Sequence, residues 1–313
     1  MTANEPDRLP TQWIDLDGTR VHYVEAPGPA DGPTFVMVHG LGGSLLDWDS
    51  LVPLLAQRGH VYAVDLGGHG LTEVEPERAT VQGNRALLDR FLRTVVGRPA
   101  VLVGNSMGGL VSSLQAGAAP GTVSGLVLVD PVLPMSPKAP SHPLVAVAFG
   151  IYAVPPLGRW FLNDRSSKIP PEQLAHEVFK LVTAHVEKVP AWLIDRHVEL
   201  SRQRQSSLTS NDAFLVAARS ILMTAGVRRQ TYERDLARIL HPVLLVHGDR
   251  DRLVNVAAAR RLAQWRSTWT YAEGADMGHC PMFEEPEWVA EQVDEWLALH
   301  PEIARKSAWK AAS

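Results

Sequence analysis

The stretch LVGNSMGGL, residues 102–110, decides how the rest of this sequence folds. An apolar run over residues 100–103 predicts a buried strand, and a helix-compatible run follows over residues 107–116. Between them, Gly104 and Gly108 flank Ser106, and glycines here allow the close backbone approach that a sharp strand-to-helix turn needs. Such a turn strains its central residue and exposes the serine hydroxyl. The pattern therefore has the form of a nucleophile elbow, in which the first helical amides suit an oxyanion.

The composition restricts the classes of protein to which this sequence can belong. A chain of 313 residues allows one large domain, or one domain with an insertion. The hydrophobic content of 45% is enough for a sizeable core, and a net charge of -4 with mixed signs predicts no nucleic-acid partner. Cys280 is the only cysteine, so no intramolecular disulfide can form and a structural zinc site is disfavoured.

Two further segments bear on localisation. Residues 1–10 are polar and acidic, without the basic and apolar regions of a signal peptide. The longest apolar run, residues 144–154, is too short to span a bilayer and ends at Pro155-Pro156. We therefore predict a cytoplasmic protein with no transmembrane segment.

Strand and helix patterns alternate through both ends of the chain. The predicted strands cover residues 13–16, 21–24, 34–38, 61–64, 100–103, 126–129, 243–246 and 268–271. Asp17-Gly18 between the first two indicates a hairpin. Helical spacing is found over residues 45–57, 87–95, 107–116, 256–264 and 285–299. This alternation predicts an α/β fold with a mostly parallel central sheet flanked by helices.

The middle of the chain has a different pattern. Residues 131–238 contain no convincing strand, and prolines at 155, 156, 170, 171 and 190 interrupt helical segments. We predict an all-helical cap at 131–238, inserted into a core formed by residues 1–130 and 239–313. Such a cap would lie above the carboxyl ends of the strands, where ligands bind in open α/β sheets.

The pattern resembles the α/β-hydrolase superfamily, and in particular its serine hydrolases with a helical cap, similar to esterases and monoglyceride lipases. The matching pieces are the His39-Gly40 turn, residues 65–70, the Ser106 elbow, Gly248-x-x-Asp251 and Gly278-His279. The order serine, aspartate, histidine is the order of that fold. The resemblance implies the α/β-hydrolase fold and covers nearly the whole core.

The predicted catalytic residues are Ser106, Asp251 and His279. A serine hydroxyl is a weak nucleophile and needs a base, and His279 follows the last predicted strand behind Gly278. Asp251 matches the family spacing for the acid that orients the imidazole. Two alternatives stay open for that acid: Asp130 after the sixth strand, where some members place it, and the neighbouring Asp249.

The oxyanion hole is expected from the backbone N–H groups of Leu41, in the His39-Gly40 turn, and Met107, directly after the nucleophile. His39 is expected to orient its own loop. The reaction would proceed through an acyl-enzyme that water releases, with no metal and no cofactor.

The substrate class is the least determined part of the hypothesis. A serine at the elbow excludes haloalkane dehalogenases and epoxide hydrolases, which need an aspartate there. Residues 144–161 of the cap are almost wholly apolar, which favours a small, uncharged, apolar ester as partner. A cap that also contacts a membrane peripherally stays open. So do a small-molecule receptor with little turnover and a C–C hydrolase or lyase that uses the same pair of residues. The acyl and alcohol groups and the oligomeric state are left undetermined.

Overall fold

A computed structural model describes residues 5–136, 139–140, 142–204 and 210–304. Residues 1–4 and 305–313 of the predicted core and 137, 138, 141 and 205–209 of the predicted cap lie outside the described residues. The described chain contains an eight-stranded sheet in the order β1-β2-β4-β3-β5-β6-β7-β8. The strands are β1 Thr11–Leu16, β2 Thr19–Ala26, β3 Thr34–Val38, β4 His60–Val64, β5 Ala100–Asn105, β6 Val123–Val129, β7 Val243–Gly248 and β8 Thr270–Gly274.

The sheet is mostly parallel, as the sequence predicts. Strand β2 pairs antiparallel with β1 and β4, and every other neighbouring pair is parallel. The hairpin between β1 and β2 turns at Asp17 and Gly18, whose φ angles are 53° and 80°. Positive φ angles at both turn positions are typical of the tight hairpins that Asp-Gly favours, so this prediction is confirmed.

Helices cover the sheet on both faces. They are α1 Val52–Ala56, α2 Val81–Phe91, α3 Met107–Ala118, α4 Pro143–Ala153, α5 Pro155–Lys168, α6 Pro171–Val182, α7 Ala191–Arg204, α8 Ser210–Ile221, α9 Arg229–Ala237, α10 Val256–Trp265, α11 Pro281–Glu284, α12 Pro286–Leu299 and α13 Pro301–Ala304. In β3, Val36 and Val38 pack into one apolar cluster, while Phe35 and Met37 pack into another. Because side chains alternate along a strand, a continuous apolar run indicates burial on both faces.

The bounds of most predicted elements differ by a few residues in the structure, and for two of them the cause is evident. Residues 45–57 do not form one helix: a 3₁₀ helix at Leu45–Trp48 is followed by α1. Pro53 lies in the first turn of α1, where an N–H group has no partner within the helix, so the missing N–H of proline causes no loss. In a single helix over residues 45–57, the same position would need an N–H donor. The last strand begins at Thr270 rather than Thr268, because Trp269 N–H donates to Arg266 in a turn that closes α10.

Helices α4 to α9 lie between β6 and β7 in the chain. Within the described ranges, no single helix is long and apolar enough to cross a membrane. Helices α4 and α5 reach that length and composition together, but they meet at an angle of 115°. The bend follows from Pro155, which disfavours helical backbone at Val154; that residue has φ -102° and ψ 102°.

Candidate active site

The predicted nucleophile Ser106 lies between β5 and α3 with φ 51° and ψ -117°, outside the usual regions for a residue with a side chain. The flanking glycines leave no room for a Cβ. At Gly104 it would lie 2.6 Å from the Gly108 carbonyl oxygen, and at Gly108 it would lie 2.0 Å from the Val38 oxygen. The close contact between α3 and the end of β3 therefore requires glycine, and it holds Ser106 in its strained turn.

The predicted oxyanion donors belong to two segments that meet at Ser106. Met107 is the first residue of α3 and is fully buried. A Cβ on Gly40 would lie 3.1 Å from the Ser106 Cβ, so the turn that contains Leu41 passes directly beside the serine. The first N–H groups of a helix have no partner within the helix, which leaves them free for an anion.

His39 stabilises the conformation of that turn through two hydrogen bonds. Its Nδ1–H donates to the Gly40 carbonyl oxygen over 2.8 Å, and its Nε2 accepts from Leu66 N–H over 2.9 Å. This pair of contacts needs a neutral imidazole, and burial lowers the pKa of His39 accordingly. The ring thus joins the loop after β3 to the loop after β4.

The structure brings His279 and Asp251 together. His279 Nδ1 lies 2.8 Å from Asp251 Oδ2, and both side chains are buried. Asp251 Oδ1 accepts from the N–H groups of Leu253 and Val254, at 2.7 and 3.1 Å. Burial by itself would raise the pKa of Asp251, but His279 and these donors outweigh it and lower that pKa. An ionised carboxylate therefore faces the imidazole.

Asn105, which the sequence reasoning missed, connects the elbow to the histidine loop. Its Nδ2 donates to the carbonyl oxygens of His279 at 3.0 Å and Val129 at 3.1 Å. The residue before Ser106 therefore binds the residue proposed as its base. The sequence indicates Asn105 only by its position next to Ser106, because both of its hydrogen-bond partners are distant in the chain.

Glu284 is a second residue that the sequence did not reveal. Its Oε1 accepts from Ala184 N–H at 2.9 Å and His185 N–H at 2.8 Å, and its Oε2 accepts from Gly278 N–H at 2.7 Å. A single buried carboxylate thus joins the segment after α6 to the loop that carries His279. All three donors are backbone groups, which leave no sequence signal.

The two alternative acids differ in position. Asp249 is exposed, and its Oδ1 accepts from Asp276 N–H over 2.7 Å, which holds the loop rather than His279. Asp130 is fully buried, and its Oδ1 accepts from Gly248 N–H over 2.9 Å. A carboxylate oxygen of Asp130, one of Asp251 and a ring nitrogen of His279 lie within 4.8 Å of one another.

This group of Asp130, Asp251 and His279 is also where a metal would be sought among the described residues. The set is poorly suited to one, because His279 Nδ1 already donates to Asp251. Asp251 Oδ1 is likewise occupied by two backbone donors. The contacts fit an imidazole that is held for proton transfer.

Aromatic side chains from α4, α5 and α8 cluster above the turn at Gly42. A Cβ on Gly42 would lie 3.1 Å from the Phe214 ring. The Phe214 ring packs edge-on against Tyr152 with centroids 5.4 Å apart, and Tyr152 also contacts Phe149 and Phe161. The space above the turn is therefore bounded by apolar rings.

Residues 35–292 match the sequence model of the Alpha/beta hydrolase family. The chain belongs to this family. The match covers more than half of the chain, and it confirms the fold and the resemblance predicted from the sequence. This α/β-hydrolase is accordingly an enzyme of the hydrolase class.

Similar proteins cover almost the whole α/β-hydrolase chain. It is 25% identical over 302 residues to monoacylglycerol lipase ABHD6 of Homo sapiens, covering 91% of this chain and 84% of that one. It is 28% identical over 268 residues to the pimeloyl-acyl-carrier-protein methyl ester esterase of Nitrosomonas europaea, covering 85% and 95%. Among solved structures, a membrane phospholipase A described as a bacterial virulence factor superposes with a TM-score of 0.70 at 26% identity, covering 93% and 86%.

Proposed function

We propose that this α/β-hydrolase is a serine hydrolase that cleaves a small, largely apolar carboxylic ester through an acyl-enzyme on Ser106. The observation that carries the proposal is the 2.8 Å contact between His279 Nδ1 and Asp251 Oδ2, on a loop that Asn105 ties to the serine elbow. The ester class is supported by relatives named as a monoacylglycerol lipase and a methyl ester esterase.

The first half of the proposed reaction acylates the serine. With Nδ1–H donated to Asp251, His279 would accept the Ser106 Oγ proton on Nε2 as Oγ attacks the ester carbonyl carbon. The N–H groups of Leu41 and Met107 donate to the oxyanion that forms. The imidazolium then gives its proton to the alcohol oxygen, and the carbon–oxygen bond to the alcohol breaks.

The second half returns the enzyme to its starting state. Water attacks the acyl carbon while His279 takes one of its protons, and the same two N–H groups stabilise the second oxyanion. The bond to Ser106 then breaks, the serine oxygen receives the proton from His279, and the carboxylic acid leaves. The proposed cycle uses no metal and no cofactor.

We also propose that the chain divides into a core at 1–130 and 239–313 and a cap at 131–238. The apolar character assigned to the substrate rests on the cap rings near the oxyanion turn, where Phe214 faces Gly42. Apolar rings above a few converging polar groups are typical of small-molecule sites. Such a pocket favours an ester whose acyl or alcohol part is hydrocarbon.

Peripheral membrane contact through the cap is an additional part of the proposal. On α4 and α5, Leu144, Val147 and Trp160 expose 71%, 61% and 62% of their surfaces, an unusual density of large apolar side chains. An apolar surface of this kind suits the interface of a bilayer. Flotation with liposomes tests this membrane contact. If the protein stays in the lipid-free fraction at every lipid composition, the proposed contact is wrong.

The central test combines covalent labelling with turnover. A fluorophosphonate probe is expected to add once, at Ser106, and purified protein is expected to hydrolyse p-nitrophenyl esters. Ser106→Ala should lower kcat by about 10⁴ or more, since it removes the nucleophile. Ser113→Ala is the matched control, because Ser113 lies further along α3, where its Oγ donates to the Gly109 carbonyl oxygen.

The result also separates the alternatives. A labelled protein with no turnover on any ester would favour a receptor of the same fold. An adduct at another residue, or an active Ser106→Ala variant, would overturn the assignment of the nucleophile.

A further inference from the structure

Asp130 is held in an unusual conformation next to the candidate site. It follows β6 directly and has φ 44°, in the left-handed region that side chains rarely adopt. Its N–H donates to the Val246 carbonyl oxygen at 2.9 Å, and its Oδ1 accepts from Gly248 N–H at 2.9 Å. The side chain is therefore directed against β7. Strained residues that the surrounding structure holds in place concentrate at functional sites.

A buried imidazole lies between Asp130 and Asp251. His247 Nδ1 is 3.6 Å from Asp130 Oδ1, and His247 Nε2 is 3.4 Å from Asp251 Oδ2. His247 Nε2 also donates to the Val254 carbonyl oxygen at 2.9 Å, which leaves Nδ1 as an acceptor. Burial lowers the pKa of His247, so this ring is neutral and supplies no positive charge.

The charges of this cluster do not balance with both acids ionised. Among the basic side chains of the described residues, only the imidazoles of His247 and His279 lie within 4.0 Å of the carboxylate oxygens of Asp130 and Asp251. No described lysine or arginine lies that close to either carboxylate. When His279 is neutral, as the proposed base must be, two buried carboxylates this close do not both ionise, so one of them keeps a proton.

The hydrogen-bond donors decide which acid keeps it. Asp251 receives two backbone N–H groups and the His279 N–H, and all three favour its ionised form. Asp130 receives one N–H on Oδ1, and no described residue donates a hydrogen bond to its buried Oδ2. Burial, followed by the charge of Asp251, raises the pKa of Asp130 well above its ordinary value.

We propose that Asp130 is a positioning residue that carries a proton at neutral pH and so confines the negative charge of this cluster to Asp251, opposite His279. This inference rests on the proposed function, since it concerns the acid that orients the proposed base. A side-chain hydrogen bond with Asp251 favours the protonated form of Asp130, so the ionised Asp251 is the acceptor for its proton. It makes no contact with substrate and takes no part in proton transfer.

Ionisation of Asp130 at high pH would change the charge of the buried cluster. The titratable groups around Asp130 are His247, Asp251, Tyr271, His279, Cys280 and Glu284. Loss of the Asp130 proton would leave two buried anions, Asp130 and Asp251, next to each other. Their repulsion would disturb the contact between Asp251 and His279, so activity should fall as Asp130 ionises.

The experiment detects the Asp130 proton by infrared spectroscopy and its effect on activity by the pH profile. In an infrared difference spectrum of wild type against Asp130→Asn at neutral pH, we expect the carbonyl band of the protonated Asp130, whereas the band of the protonated Asp47 is common to both proteins and cancels. Asp249→Asn is the matched control and should keep that band. Asp130→Asn should retain kcat within about threefold at neutral pH and lose the alkaline fall in kcat/KM, because its amide cannot ionise.

Three results would overturn the inference. One is a difference spectrum of wild type against Asp130→Asn that lacks a protonated-acid band, and another is a band that Asp249→Asn removes as well. The third is a loss of about 10⁴ in kcat for Asp130→Asn with a near-normal Asp251→Asn, which would make Asp130 the triad acid. If Asp130→Asn does not fold, the same band is followed in Asp47→Asn: a band that disappears in step with activity as pH rises supports the inference, and one that persists while activity falls overturns it. If the protein hydrolyses no ester, the band still locates the proton, and only the proposed function fails.

Discussion

The side-chain amide of Asn105 donates to the carbonyl oxygen of His279 over 3.0 Å, between residues that lie 174 positions apart in the chain. The same amide group donates to Val129, at the end of β6. One buried side chain thus fixes the elbow, the sixth strand and the histidine loop relative to one another. The relative position of Ser106 and His279 depends on this contact.

Asn105→Ala is therefore expected to lower kcat by about 100-fold, because small misplacements of catalytic groups cause losses of that size. KM should change little, since the amide faces the backbone rather than the substrate. The control is Asn84→Ala, which also removes a buried amide that donates to two carbonyl oxygens, Gly67 and Ala79. Equal losses of kcat in both variants at matched stability would contradict a positioning role for Asn105.

Glu284→Gln tests the connection between the histidine loop and the segment after α6. The glutamine keeps one acceptor oxygen but turns an NH₂ group toward a backbone N–H that now lacks its acceptor. We expect a drop in kcat of about tenfold and faster amide exchange at Ala184, His185 and Gly278. Glu285→Gln, which removes only an exposed partner of Lys188, serves as the control. Unchanged exchange at those three amides would refute the connection.

The sequence predicts the parts of this fold that depend on local pattern. β3 can be predicted because its continuous apolar run can only be buried on both faces. The elbow can be predicted because Gly104 and Gly108 lie too close to neighbouring backbone atoms to carry a Cβ. The predicted helix over residues 45–57 fails at Pro53, since apolar spacing alone does not show where a donor is missing.

Contacts between distant backbone groups were beyond the reach of the sequence. Asn105 and Glu284 both bind N–H or carbonyl groups, which every residue possesses, so no residue type marks their partners. The charge state proposed for Asp130 depends on Asp251 and His247, which only the folded sheet brings next to it. The candidate triad could be named from motif order, whereas its supporting contacts could not.

Asp47 offers a test of stability against pH. It is buried against His197, and burial raises the pKa of Asp47 to about 8 and lowers that of His197 to about 4, so both are neutral near pH 7. The folded protein keeps the Asp47 proton to about pH 8, whereas the unfolded chain releases it near the ordinary aspartate pKa of 3.8. The free energy of unfolding should therefore fall as pH rises between these values.

Asp47→Asn should remove that fall, because the amide keeps the oxygen that accepts from Ser44 N–H and cannot ionise. At pH 8 its Tm should exceed that of wild type by several degrees, since about 1 kcal/mol moves the Tm of a large domain by about 2–4 °C. The two proteins should converge near pH 4. A less stable variant at pH 8 would instead indicate that Asp47 forms an ion pair with His197.

Phe214→Ala tests the proposed apolar pocket above the turn at Gly42. Removal of the ring should reduce kcat/KM for hexanoate and octanoate esters by about tenfold and leave acetate nearly unchanged, since about 0.8 kcal/mol is at stake for each buried CH₂. Trp160→Ala, on the exposed side of α5, is the control. A loss that is equal for all acyl lengths would place Phe214 outside the acyl pocket.

The assignment of Asp251 rests on its contact with His279 Nδ1 and is tested by removing its charge. Asp251→Asn can select the wrong imidazole tautomer, for which a loss of about 10⁴ in kcat is expected from the serine-protease precedent. Asp249→Asn, whose carboxylate binds the Asp276 N–H instead, should lose little. Members of one triad act as a unit, so Asp251→Asn combined with His279→Ala should be scarcely worse than His279→Ala alone. Independent, multiplicative losses in the double variant would show that Asp251 acts elsewhere.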